Sequence, residues 1–112
     1  MHGMLKTMVR GDAKKHLDIP RIAAIKGATG ALLTLHRGSG TGGEDFRKAI
    51  AAGINIVHIN TELRVAWRRG FESGLAKHAD EVVPYKILRF AVEAVKQVAL
   101  SRLKLFNGDG KQ

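Results

Sequence analysis

His36 and His58 each stand at the end of a short apolar run, Ala31-Leu32-Leu33-Thr34-Leu35 before the first and Ile54-Asn55-Ile56-Val57 before the second. Each is followed by small or polar residues. After His36 the chain reads Arg37-Gly38-Ser39-Gly40-Thr41, a glycine-rich turn, and Glu44-Asp45-Phe46-Arg47-Lys48-Ala49-Ile50 then has the pattern of a helix. A strand that passes through such a turn into a helix N-terminus makes an anion site, because free backbone N–H groups and the helix dipole point the same way. Small residues let a phosphate approach the backbone, and the Ser39 hydroxyl adds a donor. Thr41 and Glu44 fit a Thr-x-x-Glu capping box that would fix the helix start. An ordinary strand-to-helix loop that needs glycine for tight geometry has the same composition. His36 favours chemistry, since catalytic groups of βα folds gather at the strand C-terminal edge.

The imidazoles define what that chemistry would be. His2, with Gly3 and Lys6 behind it, would end a strand that precedes this chain's own. Neutral imidazoles suit a zinc-type divalent metal, and a catalytic zinc normally takes three protein ligands and keeps one position open. A histidine taken alone is more often a hydrogen-bonded side chain, whereas two at adjacent strand ends beside such a loop make a metal or substrate role an equal reading. His16 and His78 fall in polar stretches beside helices and read as surface. With no Cys in the sequence, disulfides and thiolate ligands are excluded, so any metal relies on His, Asp or Glu.

These residues need elements to hold them. Asp18 and Pro20 start a helix whose apolar stripe is Ile19, Ile22 and Ile25, with Gly27 and Gly30 at its end. The first strand is expected over 31–36, a helix over about 43–52 closed by Gly53, and the second strand over 54–59. Asn60 and Thr61 cap a longer helix with Leu63, Ala66, Trp67, Gly70, Phe71 and Gly74 on one face. A break at 80–84 precedes a last helix to about Phe106, striped by Leu88, Val92, Val95, Ala99 and Leu103. Residues 1–17 and the polar tail from Asn107 to Gln112 read as loop. Strands alternating with amphipathic helices predict a parallel sheet, and strands this apolar predict burial on both faces. Two strands cannot cover four helices, so the pattern is that of a piece of a larger sheet whose open edges favour self-association.

At 112 residues the chain is one domain at most, and 45% hydrophobic with 26% charged residues marks it as globular. No apolar run approaches the roughly 20 residues of a membrane span, and Met1-His2-Gly3-Met4 lacks the apolar core of a secretion signal, so a cytoplasmic location is expected. The formal charge of +9 suits either a nucleic acid or a phosphorylated small molecule. Its basic residues are dispersed, never more than two in a row, and lack interleaved aromatics, which argues against nucleic acid.

Taken together and in order, three motifs carry a resemblance: His2-Gly3-x-x-Lys6, Leu35-His36-x-Gly38-Ser39-Gly40-Thr41 and Ile59-Asn60-Thr61-Glu62-Leu63-Arg64. With Asp45-Phe46-Arg47-Lys48-Ala49-Ile50 and the closing Arg102-Leu103-Lys104-Leu105-Phe106, the chain resembles the class II, metal-dependent fructose-bisphosphate aldolases and their tagatose-bisphosphate relatives. That resemblance implies an α/β fold, a partial TIM (β/α)8 barrel. Residues 1–112 would be a single C-terminal fragment, roughly the last two βα units plus a C-terminal helix. It implies a zinc-assisted, reversible aldol cleavage of fructose 1,6-bisphosphate to dihydroxyacetone phosphate and glyceraldehyde 3-phosphate. His2 and His36 would be two of three zinc imidazoles. Gly3, Lys6, Gly38 and Ser39 would surround a phosphate, with Asn60 and Thr61 at the strand-eight end of the same pocket.

Two positions depart from the motif. Arg37 stands where the family usually has glycine, which costs roughly 1–2 kcal/mol if that residue needs positive φ. His58 stands where many members carry an Asn that contacts substrate. The third zinc histidine and the acid/base Asp are expected on earlier strands, so the chain alone is expected to be inactive. The expected partners are a phosphorylated ketose or triose and the missing N-terminal barrel portion or a second copy. The alternative is a non-catalytic module that binds phosphorylated ligands or a partner half-barrel.

Overall fold

The computed structural model describes residues 16–107. In chain order these form α1 (Ile19–Thr29), β1 (Leu33–Leu35), α2 (Gly43–Ala52), β2 (Ile54–Val57), α3 (Thr61–Lys77) and α4 (Pro84–Phe106). The two strands pair in parallel, with Leu33 opposite Ile54, Thr34 opposite Ile56 and Leu35 opposite Val57, and the register slips between Leu33 and Thr34. No helix among the described residues is long and apolar enough to cross a membrane.

Local chemistry accounts for most boundaries. The Asp18 carboxylate accepts the Arg21 N–H at 3.1 Å and so caps α1. The helix runs through Gly27 and stops at Gly30, whose φ of 62° lets its N–H reach back to the Lys26 carbonyl. At its start, α2 departs from the expected capping box. Gly42 takes the cap position with no side-chain bond, and the Thr41 hydroxyl is buried without a partner. Glu81 prepares α4 instead: its carboxylate accepts the N–H groups of Val82 and Val83 and lies 3.5 Å from Lys86. The Val83 hydrogen bond, helped by the Lys86 charge, holds this carboxyl below its ordinary range.

Both strands are shorter than the apolar runs. Asn55 pins their start, its side-chain oxygen accepting the Leu33 N–H at 3.2 Å and the Lys26 ammonium at 3.0 Å. Beyond Leu35 the chain turns away at Arg37, yet ladder-like bonds continue from His58 N–H to the Leu35 carbonyl and from Gly38 N–H to the His58 carbonyl. Burial on both faces is not realised within this chain. Ile54 is buried, whereas Ile56 is 44% and Leu32 75% exposed. Asn55 and Lys26 make a polar layer where a second apolar face was expected.

The buried centre consists of Phe46, Ala49, Ile54, Val65, Ile87 and Ala91, with the Phe46 ring edge-on to Phe106 at 5.2 Å. On α3 the contact stripe includes Gly70 and Gly74 of the predicted face, whereas on α4 it differs from the one predicted. The helices meet along Val65, Gly70 and Gly74 on one side and Ile87 and Ala91 on the other. Leu88, Val92 and Leu103 face outward at 39%, 65% and 55% exposure, and Trp67 is 46% exposed. The cause is backbone proximity. A Cβ on Gly70 would fall 2.5 Å from the Phe90 carbonyl oxygen and 2.8 Å from the Ala91 Cα. Small residues let the two axes close together, and that gain selects the glycine seam over the bulkier stripe.

The outcome is flat and open. A radius of gyration of 17.0 Å and extents of 59 × 34 × 19 Å exceed the roughly 12–13 Å radius of a compact chain of this size. Gly70→Ala should destabilise the protein by about 1–3 kcal/mol, because overpacking against backbone outweighs the ~1 kcal/mol gain in helix propensity. Urea unfolding at fixed chain concentration measures it; an unchanged or higher midpoint would show that the helices separate without cost.

Candidate functional site

The turn after β1 and the first turn of α3 lie against one another at the C-terminal edge of the strand pair. Arg37 has φ of 59°, the left-handed conformation in which a non-glycine residue is strained, and Gly40 has φ of 84°. Gly38 fits closely. A Cβ there would stand 3.2 Å from each of the His58 carbonyl oxygen, Ile59 Cδ1 and Phe46 Cε1. A side chain here would have to push these neighbours back by a few tenths of an ångström, so they favour glycine.

Ser39 is 5% exposed, and its hydroxyl oxygen accepts the N–H groups of Asn60 at 3.3 Å and Glu62 at 3.2 Å. Asn60 occupies the cap position of α3, but its side chain makes no capping bond. The capping oxygen comes from the loop, 21 and 23 residues earlier in the chain. With both acceptances made by the oxygen, the Ser39 O–H hydrogen remains available to a ligand.

Backbone donors expected to be open are instead engaged internally. Gly38 N–H goes to His58, Thr41 N–H to Gly38 and Gly40 N–H to the Glu62 carboxylate at 3.0 Å. Glu62 is the hub of the site. Its Oε1 also accepts from Arg102 Nη2 at 2.8 Å, and its Oε2 accepts from Arg102 Nε at 2.7 Å. The two side chains are only 10% and 24% exposed, and the guanidinium lies 5.1 Å from the centre of the Phe46 ring. A two-pronged Arg–carboxylate pair with this little water is stronger than a surface ion pair.

His36 and His58 meet in front of this loop. Their Nδ1 atoms are 3.3 Å apart and their ring planes stand at 82°. Both residues are exposed, as is Asn60, while Thr61 is half-buried. Among the described residues no cluster of three or more His, Asp or Glu side chains is poised for a metal. His2, Gly3 and Lys6 lie outside the described residues. His16 is on the surface as expected, 3.3 Å from Asp45, and His78 is exposed beside Phe90.

The structure thus brings together His36, Gly38, Ser39, His58, Asn60 and Thr61. It adds Glu62 and Arg102, for which no site role was legible from the residues alone. Glu62 at the first turn of a helix reads as an ordinary dipole partner, and nothing local points to an arginine 40 residues on.

Comparison with known proteins follows this geometry. The family model described as fructose-bisphosphate aldolase class-II matches residues 1–111. A fructose-bisphosphate aldolase of Thermus caldophilus is 33% identical over 131 aligned positions, covering 98% of this chain and 42% of the relative. One from Geobacillus stearothermophilus is 30% identical over 111 positions, covering 99% and 37%. A 6-phospho-5-dehydro-2-deoxy-D-gluconate aldolase of Bacillus velezensis is 32% identical over 96 positions, covering 86% and 33%. The chain therefore spans about two fifths or less of the length of these relatives.

Two outcomes are expected from substitution. Arg102→Met, which leaves the Glu62 carboxylate half-buried without its cation, should cost about 2 kcal/mol, and Glu62→Gln, which keeps shape and one acceptor, should cost less. Equal losses in urea melts would remove Glu62 as the hub. Arg37→Gly should be about 1 kcal/mol more stable than Arg37→Ala, since both remove the side chain but only glycine relieves the φ strain. Equal stabilities would place the strain elsewhere.

Proposed function

The chain belongs to the class II fructose-bisphosphate aldolase family, and from that membership we propose that residues 1–112 form the C-terminal portion of a (β/α)8 barrel. Its function in that reading is zinc-assisted aldol cleavage of fructose 1,6-bisphosphate to dihydroxyacetone phosphate and glyceraldehyde 3-phosphate. The observation that carries the proposal is the shared edge. His36, the Ser39 loop and the first turn of α3 all stand at the C-terminal ends of two parallel strands, where βα barrels place their chemistry.

An imidazole at this edge supports a zinc reading. His36 presents an exposed imidazole at the strand end, and imidazole nitrogen is a preferred zinc ligand. His36 and His2 are the proposed ligands. Bound there, zinc supplies Lewis-acid polarisation of the substrate ketone. The chain's own contribution is to hold the substrate. Ser39 donates its hydroxyl hydrogen to a phosphate oxygen, with Gly3, Lys6, Gly38, Asn60 and Thr61 forming the rest of that pocket. His58 lies at the inner side of the same pocket, toward the carbon chain. Relatives named for two different phosphorylated substrates support a phosphorylated ketose as the substrate class.

The acid/base group comes from another segment in this proposal. Glu62, the carboxylate bonded to the loop, is committed to Arg102 and Gly40 and cannot approach a substrate without breaking both. Loss of a positioned acid/base alone forfeits on the order of 10²–10⁴-fold in rate. A second reading, a module that docks a complementary half-barrel without catalysing, is favoured by the outward-facing Leu88, Val92 and Leu103 together with Ile56.

The purified chain is expected to show no measurable cleavage of fructose 1,6-bisphosphate, with or without added zinc. Activity should appear when the rest of the barrel is supplied in trans. Robust cleavage by the chain alone would overturn the fragment reading. Assembly with the remaining barrel without any activity would favour the module.

A further inference from the structure

We propose that His58 is a metal ligand, so that His36 and His58 together make a two-imidazole seat for a divalent cation at the strand ends. The proposal rests on the zinc reading above and changes the position assigned to His58, from the substrate side of the pocket to the metal. The geometry is specific. Both rings turn the same nitrogen, Nδ1, toward the other at 3.3 Å. Two nitrogens bound roughly 2.0–2.1 Å from one tetrahedral zinc stand about 3.3–3.4 Å apart. The rings stand near-perpendicular, and the contact has hydrogen-bond geometry, so one Nδ1 is directed at the other.

Two facing Nδ1 atoms cannot both be bare acceptors, because their lone pairs repel. A shared proton or a shared cation must lie between them. A proton bridge is available, but 3.3 Å is at the long end for an N–H hydrogen bond, whereas it is the expected edge for a cation. Backbone bonds fix the separation before any ligand arrives. His58 N–H binds the Leu35 carbonyl, next to His36, and the His58 carbonyl binds Gly38 N–H on the other side of His36. The two Cα positions are therefore held as a unit, and the metal site costs little reorganisation. Both side chains are exposed, which gives the cation a path in and leaves further coordination positions for water, substrate or a ligand from outside the described residues.

The test is zinc binding by the full chain, read by competition with a chromophoric chelator and by 15N NMR of labelled histidine. Wild type should bind one zinc per chain, with the Nδ1 resonances of His36 and His58 both moving and those of His16 and His78 unchanged. His58→Asn and His36→Ala should each weaken binding by more than roughly 100-fold, beyond the ~10–100-fold usual for a group that merely supports a ligand, while far-UV circular dichroism stays native. If zinc moves the His36 resonance alone and His58→Asn binds as wild type does, the His58 assignment is overturned while the zinc reading stands. If wild type binds no zinc, the two-imidazole seat is overturned, whereas the zinc reading, whose third ligand is expected on another segment, is decided by cleavage with the rest of the barrel supplied in trans. The NMR readout on wild type decides the question even if a variant fails to fold.

Discussion

The carboxylate of Glu62 holds this structure's working edge together. One oxygen accepts from the loop at Gly40 and from Arg102, and the other accepts from Arg102 alone. Its backbone N–H meanwhile donates to Ser39. Loop, α3 and α4 are thus tied at one residue, and the Arg102 guanidinium is itself seated against Phe46, the largest fully buried side chain among the described residues. A carboxylate 10% exposed would be a burden without such partners. Because all of its bonds are directed, it fixes where the loop sits relative to the helix, and hence where the two imidazoles stand.

How much of this was legible in the sequence depended on the range of each interaction. The spans of α2, α3 and α4 follow from local signals: Gly53 closing one helix, Pro84 opening another, and 3.6-residue periodicity between. The parallel pairing followed from strand–helix alternation. The positive φ at Arg37 was foreseen as a condition of the motif and is met at 59°. What escaped was long-range. The Thr41–Glu44 box looked complete on local grounds, but Gly42 caps α2, and the hydroxyl that serves a helix start is Ser39's, serving α3. Gly70 and Gly74 were on the face read for α3, but the choice of stripe on α4 escaped for a related reason. Hydrophobic periodicity ranks large side chains first, whereas the α3–α4 seam is decided by what Gly70 and Gly74 lack.

The same seam explains the surface. Bringing two backbones into contact buries small residues and leaves bulky ones, Leu88, Val92 and Leu103, on the far side of α4. The sheet behaves alike, since two strands with Ile56 outward cannot enclose a centre of their own. The apolar area left uncovered is distributed over several elements, from Ile25 on α1 and Ile56 on β2 to Trp67 on α3 and Leu88, Val92 and Leu103 on α4, so it is covered by extended neighbours more readily than by a small ligand.

Lending α3 its cap from a distant loop also has a kinetic side. A helix capped by its own preceding residue can complete its first turn as an isolated segment. Here the accepting oxygen is separated from its donors by 21 and 23 residues, so the first turn of α3 must wait for β1 and β2 to pair and the loop to close. The interior of the helix can nucleate against α4 beforehand. The cap of the N-terminal end therefore depends on the pairing of the strands, and that coupling links the order of the site to the order of the sheet.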